Sequence, residues 1–332
     1  MRFAVALAVV AGVFVACTPP APSPSPSAAR TQLTVGLGYI PSIQFAQFYR
    51  AQQQGYYRAA GLDVTFQHQI DAQLIPQIGQ GVVDIGLADG TSLIPAVSQA
   101  IDVRYAATIY ADFPSVVLTR ADSGITSAAD LRGKRLGIPG RYGSSWIMLQ
   151  ALLASAGLAP TDLDIRLYQN FDQAVALREG QVDAATGFAN NEPVQLALAG
   201  IETTVLRVDE ITPLPGPGLT VGESTMAGKP GAIRAFLAAT LRAMAEIIAN
   251  PEAGLDDAIR EVPTLGEDRA TQLAILSATV AMWQSPYTDQ HGLGAIDRDA
   301  WTRSIEFMRT LPDIAVPAEL TADQLLTEEL LP

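Results

Sequence analysis

The sequence predicts an α/β protein of two lobes, in which strands alternate with helices along the chain. Three observations support this prediction: the length available for folding, the order of apolar segments and turn residues, and a pattern that occurs twice. The chain has 332 residues, of which about 300 follow an N-terminal segment typical of a targeting signal. That length favours two lobes over one.

The N-terminal segment has the order of a signal peptide followed by a tether. An apolar run over residues 3–16 precedes Cys17, and it is shorter than the roughly 20 apolar residues of a membrane-spanning helix. The residues that end at Cys17 resemble a bacterial lipobox. We therefore expect residues 1–16 to be a signal peptide, Cys17 to carry lipid, and residues 17–30 to form a flexible tether rich in Pro and Ser. The alternative is an ordinary secretory signal with an incidental cysteine.

Composition and charge narrow the class of protein. Apolar residues make up 48% of the chain and charged residues 17%, so the chain can bury a large core and is not a disordered protein. The formal net charge of -13 would repel a polyanion, which argues against a DNA or RNA partner. Because Cys17 is the one cysteine, the folded part has no internal disulfide.

The first α/β unit is predicted between residues 31 and 109. An apolar strand over 31–38 precedes Ser42, which can cap a helix that runs to about Gln54. Further strands are predicted over 61–66, 82–88 and 103–109, with helices over 71–80 and 91–99 between them. This alternation indicates a parallel sheet covered on both faces.

The same order of features recurs further along the chain. Strands are predicted over 134–138, 164–167 and 184–187, with helices over 144–156 and 171–179. Three short segments match in the same order: Ala60–Leu62 with Ala156–Leu158, Asp63–Phe66 with Asp164–Leu167, and Gly81–Asp84 with Gly180–Asp183. We interpret this as two α/β units of one plan. Two generic units that share common turn residues are the alternative.

The sequence changes in character after Gly200. Residues 209–222 contain three prolines and three glycines, and we interpret them as a connection between lobes. Residues 227–250 are predicted to be one long helix, because Ile233, Phe236 and Leu237 begin an apolar pattern at helical spacing. More helices should follow, with breaks at Pro251, Pro263 and Pro286.

Several segments resemble a known family. Val35–Pro41 and Ala51–Val64 are similar to the opening of the substrate-binding proteins related to fungal thiamine-pyrimidine synthases. Gly79–Gly86 and Asp130–Gly137 continue the similarity, which covers about residues 33–250. Members of this group bind sulfonates, nitrate, thiamine pyrimidine precursors or riboflavin for ABC importers.

The resemblance implies the type II periplasmic-binding-protein fold, with two α/β lobes joined by two hinge strands. The lobes would be residues 31–115 and 116–222, the hinge strands would lie near Val116–Thr119 and Leu219–Gly222, and residues 223–332 would return to the first lobe. The ligand would lie between the lobes at the carboxyl ends of strands, where open parallel sheets bind ligands. Hinge closure would trap the ligand and present it to an ABC permease and its ATPase.

Loops at strand ends supply the candidate ligand contacts. Their side chains can stack on a flat molecule, exchange hydrogen bonds with it or pair with its charge. Each also has a purely structural interpretation, such as a packed aromatic or a helix cap. The candidates are Tyr39, Gln44, Asp89, Thr91, Tyr110, Arg141, Tyr142, Ser144, Phe188, Asn190, Asn191 and Glu192.

The candidates favour a flat ligand of nearly neutral charge. Aromatic side chains occur on these loops in both units, and Glu192 would disfavour an anion. We expect riboflavin, favoured by the overall resemblance, or a thiamine pyrimidine precursor. A sulfonate or nitrate ligand is the alternative, because the glycine loop over residues 140–145 opens a helix and carries Arg141.

The sequence shows no arrangement of residues typical of an enzyme. His68 and His291 lie far apart and have no second ligand at metal spacing. Cys17 is assigned to lipid, and Ser144 lacks the Gly-x-Ser-x-Gly frame of a nucleophile. We expect no catalytic residue, metal or cofactor, and a monomer anchored by lipid outside the cytoplasm. A pyrimidine-synthase-like enzyme and a lipoprotein that only adheres to surfaces are the other classes considered.

Overall fold

The computed structural model describes residues 29–68, 71–209, 211–312 and 314–332. The predicted signal peptide and Cys17 lie outside these residues. The strands are β1 (Thr31–Leu37), β2 (Leu62–His68), β3 (Ile85–Asp89), β4 (Val103–Thr108), β5 (Ser115–Arg120), β6 (Arg135–Ile138), β7 (Asp164–Leu167), β8 (Ala184–Phe188), β9 (Thr203–Arg207) and β10 (Pro217–Gly222).

Helices connect and cover these strands. They are α1 (Ala46–Gln53), α2 (Tyr56–Ala59), α3 (Asp71–Gly79), α4 (Gly90–Ala96), α5 (Gly143–Ser155), α6 (Gln173–Arg178), α7 (Glu192–Leu198), α8 (Glu223–Gly228), α9 (Pro230–Ala249), α10 (Pro251–Glu261), α11 (Arg269–Met282), α12 (Pro286–His291) and α13 (Arg298–Met308). Within the described ranges, none of them has the length and apolar character needed to span a bilayer.

The strands form two sheets with the same plan. The first sheet has the order β2-β1-β3-β10-β4 and the second has the order β7-β6-β8-β5-β9. If β1–β4 are matched with β6–β9, the two orders coincide, and β10 and β5 take the same place. Both of these strands run antiparallel to their neighbours. Each sheet is therefore mixed rather than all parallel as predicted, because one of its strands enters from the other lobe.

The repeated Gly-x-Val-Asp segments make the same junction in both lobes. The Asp84 carboxylate accepts the Thr34 N–H at 2.9 Å, and the Asp84 N–H donates to the Thr34 carbonyl at 2.9 Å. Asp183 and Arg135 make the same two bonds in the second lobe, each at 2.9 Å. Each aspartate thus bonds the segment just before the third strand of its unit to the first strand of that unit. This shared role is a physical reason for the repeat.

The chain passes between the two sheets in two adjacent segments. The first crossing, residues 109–114, lies between β4 and β5, and the second, residues 208–216, lies between β9 and β10. Strands are present near both predicted hinge positions, and each belongs entirely to one sheet. At Gly216 the crossings touch, because an added Cβ would lie 2.4 Å from the Tyr110 carbonyl oxygen.

The C-terminal helices pack on both faces of the first sheet. Helices α9, α10 and α11 share a core with β1 that includes Val35 and Phe236. On the other face, the Trp301 ring of α13 meets Tyr105 of β4 at 4.9 Å between ring centroids. Pro251 and Pro286 are the first residues of α10 and α12, where the missing N–H would have no helical partner in any case.

Candidate ligand-binding site

A cavity lies between the two lobes, at the carboxyl ends of β1, β3, β6 and β8. It contains about 910 Å³ of space not filled by protein, part of it open to solvent. Open α/β sheets bind ligands in the crevice beyond the carboxyl ends of their strands. The cavity is therefore where the sequence predicts the ligand to bind.

Nine of the twelve candidate residues line this cavity: Tyr39, Gln44, Asp89, Tyr110, Tyr142, Ser144, Phe188, Asn191 and Glu192. The structure places the other three outside its lining. Thr91 is buried in α4, and Asn190 is buried and bonded to Gln44. Arg141 is exposed, with its guanidinium 5.5 Å from the centroid of the Trp146 ring. Arg141 therefore adds no charge to the cavity wall.

Three lining residues with aromatic or amide side chains, Phe45, Phe171 and Gln173, are not among the candidates. Phe171 and Gln173 fall in the predicted helix over 171–179 and so are not considered as loop residues. In the structure α6 begins only at Gln173. Phe171 instead has a left-handed backbone with φ of 60°, which is uncommon for a residue other than glycine. The available signal was its position in the loop after strand β7, equivalent to the other candidate loops.

Aromatic rings from both lobes meet at the cavity. Tyr39 of the first lobe and Phe171 of the second lobe are in edge-to-face contact, with ring centroids 4.8 Å apart. Tyr142 folds back over its own loop, because an added Cβ at Gly140 would lie 2.1 Å from the Tyr142 ring. Together with Phe188, these rings give the cavity flat apolar surfaces on which a planar molecule can stack.

A buried group of polar side chains joins the lobes beside the cavity. The Asn190 side-chain N–H group donates to Gln44 Oε1 at 2.9 Å and to Thr279 Oγ1 at 2.8 Å. Gln44 belongs to the first lobe and Thr279 to α11, whereas Asn190 follows β8 of the second lobe. Asn190 thus contributes to contact between the lobes.

A carboxylate of the first lobe faces the N-terminus of α5, which was the candidate anion site. Asp89 Oδ2 accepts the Ser144 N–H at 3.2 Å, and the Ser144 hydroxyl accepts a bond from Ser115 at 2.9 Å. Helix N-termini attract negative charge. Because Asp89 already supplies that charge, a sulfonate or nitrate at this point would be repelled.

Glu192 places a second carboxyl in the cavity wall. It accepts the Phe188 N–H at 2.7 Å and a bond from the Asn191 side chain at 3.3 Å. Burial raises the pKa of Glu192, and these hydrogen bonds offset part of that effect. Gly187 allows this close approach, because an added Cβ would lie 2.9 Å from Glu192 Oε2.

The described lining residues combine aromatic, amide, hydroxyl and carboxyl groups without an Arg, Lys or His side chain. The described ranges also contain no group of three or more His, Cys, Asp or Glu side chains arranged to hold a metal ion. The cavity can therefore stack on a flat ligand and exchange hydrogen bonds with it. It provides no cationic side chain to pair with an anion.

Comparison with known proteins agrees with this fold. The family model described as NMT1/THI5 like matches residues 42–254. The riboflavin-binding protein RibY of Chloroflexus aurantiacus is 35% identical over 91% of this chain and 86% of its own length. A 4-amino-5-hydroxymethyl-2-methylpyrimidine phosphate synthase of Legionella pneumophila is 26% identical over 67% of this chain and 71% of its own length.

A solved structure shows the same fold at low identity. The alkanesulfonate-binding protein SsuA from Xanthomonas axonopodis, bound to MOPS, superposes with a TM-score of 0.68 at 18% identity, over 91% of this chain and all of its own length. The predicted periplasmic-binding-protein fold and the predicted family resemblance are both confirmed. The chain therefore belongs to the NMT1/THI5-like family.

Proposed function

We propose that this protein is a solute-binding protein that captures a flat heterocyclic vitamin, riboflavin in particular, between its lobes and delivers it to an ABC importer. The observation that carries the proposal is the composition of the cavity wall. Aromatic rings from both lobes lie there beside amide groups and two carboxyl groups, and the described lining residues include no basic side chain. The similarity to a riboflavin-binding protein at 35% identity supports riboflavin.

The chemistry of riboflavin matches these surfaces. Its isoalloxazine ring is planar and offers both faces for stacking, and a favourable aromatic pair adds about 0.5–1.5 kcal/mol beyond the burial of area. One edge of the ring has an imide N–H between two carbonyl groups, so it offers one donor and two acceptors to the amide and carboxyl groups of the wall.

The transport role includes an anchor and a partner. In this proposal, lipid on Cys17 holds the protein at the outer side of the cytoplasmic membrane, and the closed lobes dock on an ABC permease served by an ATPase. The order of signal, cysteine and tether in the first 30 residues supports the anchor. The protein releases its ligand chemically unchanged and acts as a monomer.

A thiamine pyrimidine precursor is the second candidate ligand. The similarity to pyrimidine phosphate synthases at 26% identity favours it, and an aminopyrimidine could use the same amides and rings. An alkanesulfonate or nitrate fits less well, because Asp89 and Glu192 line the cavity and Arg141 does not.

Thermal unfolding with a ligand panel tests this proposal. The purified protein is heated with riboflavin, 4-amino-5-hydroxymethyl-2-methylpyrimidine, ethanesulfonate or nitrate. A ligand at 100 times its dissociation constant stabilises the folded state by about 2.7 kcal/mol, so riboflavin should raise the melting temperature and the two anions should not. A shift with an anion and none with riboflavin would contradict the proposal.

A tyrosine of the cavity provides the first variant. Tyr142→Ala should weaken riboflavin binding at least about tenfold, because it removes a stacking surface and its buried area. Tyr287→Ala, in α12 outside the cavity lining, is the matched control and should leave the ligand-induced shift intact. Equal loss of the shift in both variants would refute a role for the Tyr142 ring.

A further inference from the structure

One buried amide in the cavity wall has an oxygen without a hydrogen-bond partner. Gln173 is 2% exposed and lines the cavity. Its Nε2 donates to the Thr186 carbonyl oxygen at 3.0 Å, whereas its Oε1 has no hydrogen-bond partner among the described residues. Buried polar atoms without a partner are rare in folded proteins, and each requires an explanation.

The orientation of this amide follows from its partner. A backbone carbonyl oxygen can only accept a hydrogen bond, so the NH₂ end of Gln173 must face Thr186. The stem of the side chain is also held close to β6, because an added Cβ at Gly137 would lie 3.0 Å from the Gln173 Cβ. The unused end of the amide is therefore an acceptor, and a flip of the amide would leave two acceptors facing each other.

An acceptor at this position distinguishes between the classes of ligand. Sulfonate and nitrate groups present only acceptors and would be repelled by Oε1. The imide N–H of a flavin ring is a donor, as is the exocyclic amine of an aminopyrimidine. We propose that Gln173 is a specificity-determining residue whose Oε1 accepts a hydrogen bond from the imide N–H of bound riboflavin. This inference rests on the proposed function and assigns part of its site.

A cycle of two proteins and two ligands tests the assignment. The affinities of the wild type and of Gln173→Met are measured by titration with riboflavin and with 3-methylriboflavin, in which a methyl group replaces the imide hydrogen. Sites built around a hydrogen bond reject analogues that lack it, so the wild type should prefer riboflavin by at least about tenfold. In Gln173→Met this preference should fall towards unity, because methionine offers only a weak acceptor.

The ratio of the two affinities removes any general loss of binding from the comparison. Gln150→Met is the matched control, because Gln150 is also buried and also has an amide oxygen without a partner among the described residues, but it lies in α5 outside the cavity lining. It should keep the wild-type ratio. A crystal structure of the wild type with riboflavin, expected to show the imide nitrogen within hydrogen-bonding distance of Oε1, gives a second test that needs no variant.

The outcomes separate the two proposals. An unchanged ratio in Gln173→Met, or an imide group that faces another residue in the complex, would overturn the assignment and leave riboflavin binding standing. Absence of riboflavin binding by the wild type would overturn the proposed function, and this inference with it.

Discussion

Glu192 combines a buried carboxyl group with a position in the ligand cavity. Because its surroundings disfavour the charged form, the pKa of the carboxyl is higher in the folded protein than in the unfolded chain. The folded state therefore binds more protons than the unfolded state between these two pKa values. The stability that the protonated group contributes is complete below the unfolded pKa and is lost as the pH rises through the folded pKa.

Replacement of Glu192 by Gln should remove the loss of stability that accompanies ionisation of the carboxyl as the pH rises. Above pH 4.5, the ordinary value for this carboxyl, the free energy of unfolding of Glu192→Gln should increase relative to that of the wild type. One titrating proton limits the slope to about 1.4 kcal/mol per pH unit. Urea denaturation between pH 4 and pH 8 measures the difference, and Glu306→Gln on an exposed position of α13 is the control. A difference that stays constant with pH would contradict the burial argument.

At this scale, the sequence predicts positions on loops better than it predicts directions of side chains. Tyr39, Asp89 and Glu192 could be selected because each lies at or just beyond the end of a strand. Arg141 also lies in such a loop, but its guanidinium packs against Trp146 at the surface. Phe171 reaches the cavity through a backbone conformation that no local residue preference indicates.

Between elements, a buried ionic cluster holds α1 against α9 and α10. Arg50 of α1 pairs with Asp257 of α10 at 2.7 Å and with Glu246 of α9 at 2.8 Å. The Asp257 side chain is 1% exposed and also pairs with Arg260. These bonds hold the C-terminal helices α9 and α10 against α1 of the first lobe.

Removal of Asp257 should destabilise this packing. Loss of one partner of a buried ion pair lowers stability by about 3–5 kcal/mol, and Asp257→Ala should fall at the lower end because Arg50 keeps Glu246. Asp256→Ala is the matched control, since Asp256 lies next to it and pairs with Arg269 at the surface. Surface pairs contribute about 0–1 kcal/mol. Equal free energies of unfolding for both variants in urea would show that the buried cluster adds no stability.

The order of elements was predictable, and the direction of two strands was not. Strand β1, helix α5 and the repeated turns follow from apolar spacing and from glycine and aspartate positions. The sequences of β5 and β10 are apolar like those of their parallel neighbours, so they do not show that each strand runs antiparallel. That direction follows from the two crossings between lobes, which are a property of the whole chain.

At the scale of the molecule, the cavity depends on contact between the two lobes. Asn190 bonds to Gln44 and Thr279 across this boundary, and Tyr39 meets Phe171 across it. These contacts stabilise a closed arrangement in which aromatic surfaces from both lobes face one cavity. Weakening them should therefore reduce ligand affinity without removal of a lining residue.

Asn190→Ala tests this link between closure and binding. A hydrogen bond contributes about 0.5–1.5 kcal/mol, so loss of two should weaken riboflavin binding by about tenfold. Small-angle X-ray scattering should show a larger radius of gyration than that of the wild type at the same subsaturating riboflavin concentration. Asn170→Ala, an exposed residue of the same lobe, should match the wild type. If Asn190→Ala has the affinity and the radius of gyration of the wild type, the Asn190 hydrogen bonds do not contribute to closure of the lobes.

The central claim is that two lobes grip a planar ligand and release it unaltered. Titration of the purified protein into riboflavin, followed by flavin fluorescence, tests this claim most directly when the ligand is then recovered and analysed. We expect saturation at one riboflavin per chain, quenching of the fluorescence as the ring stacks on tyrosine, and recovery of intact riboflavin. Absence of saturable binding, or recovery of a chemically changed flavin, would contradict the account.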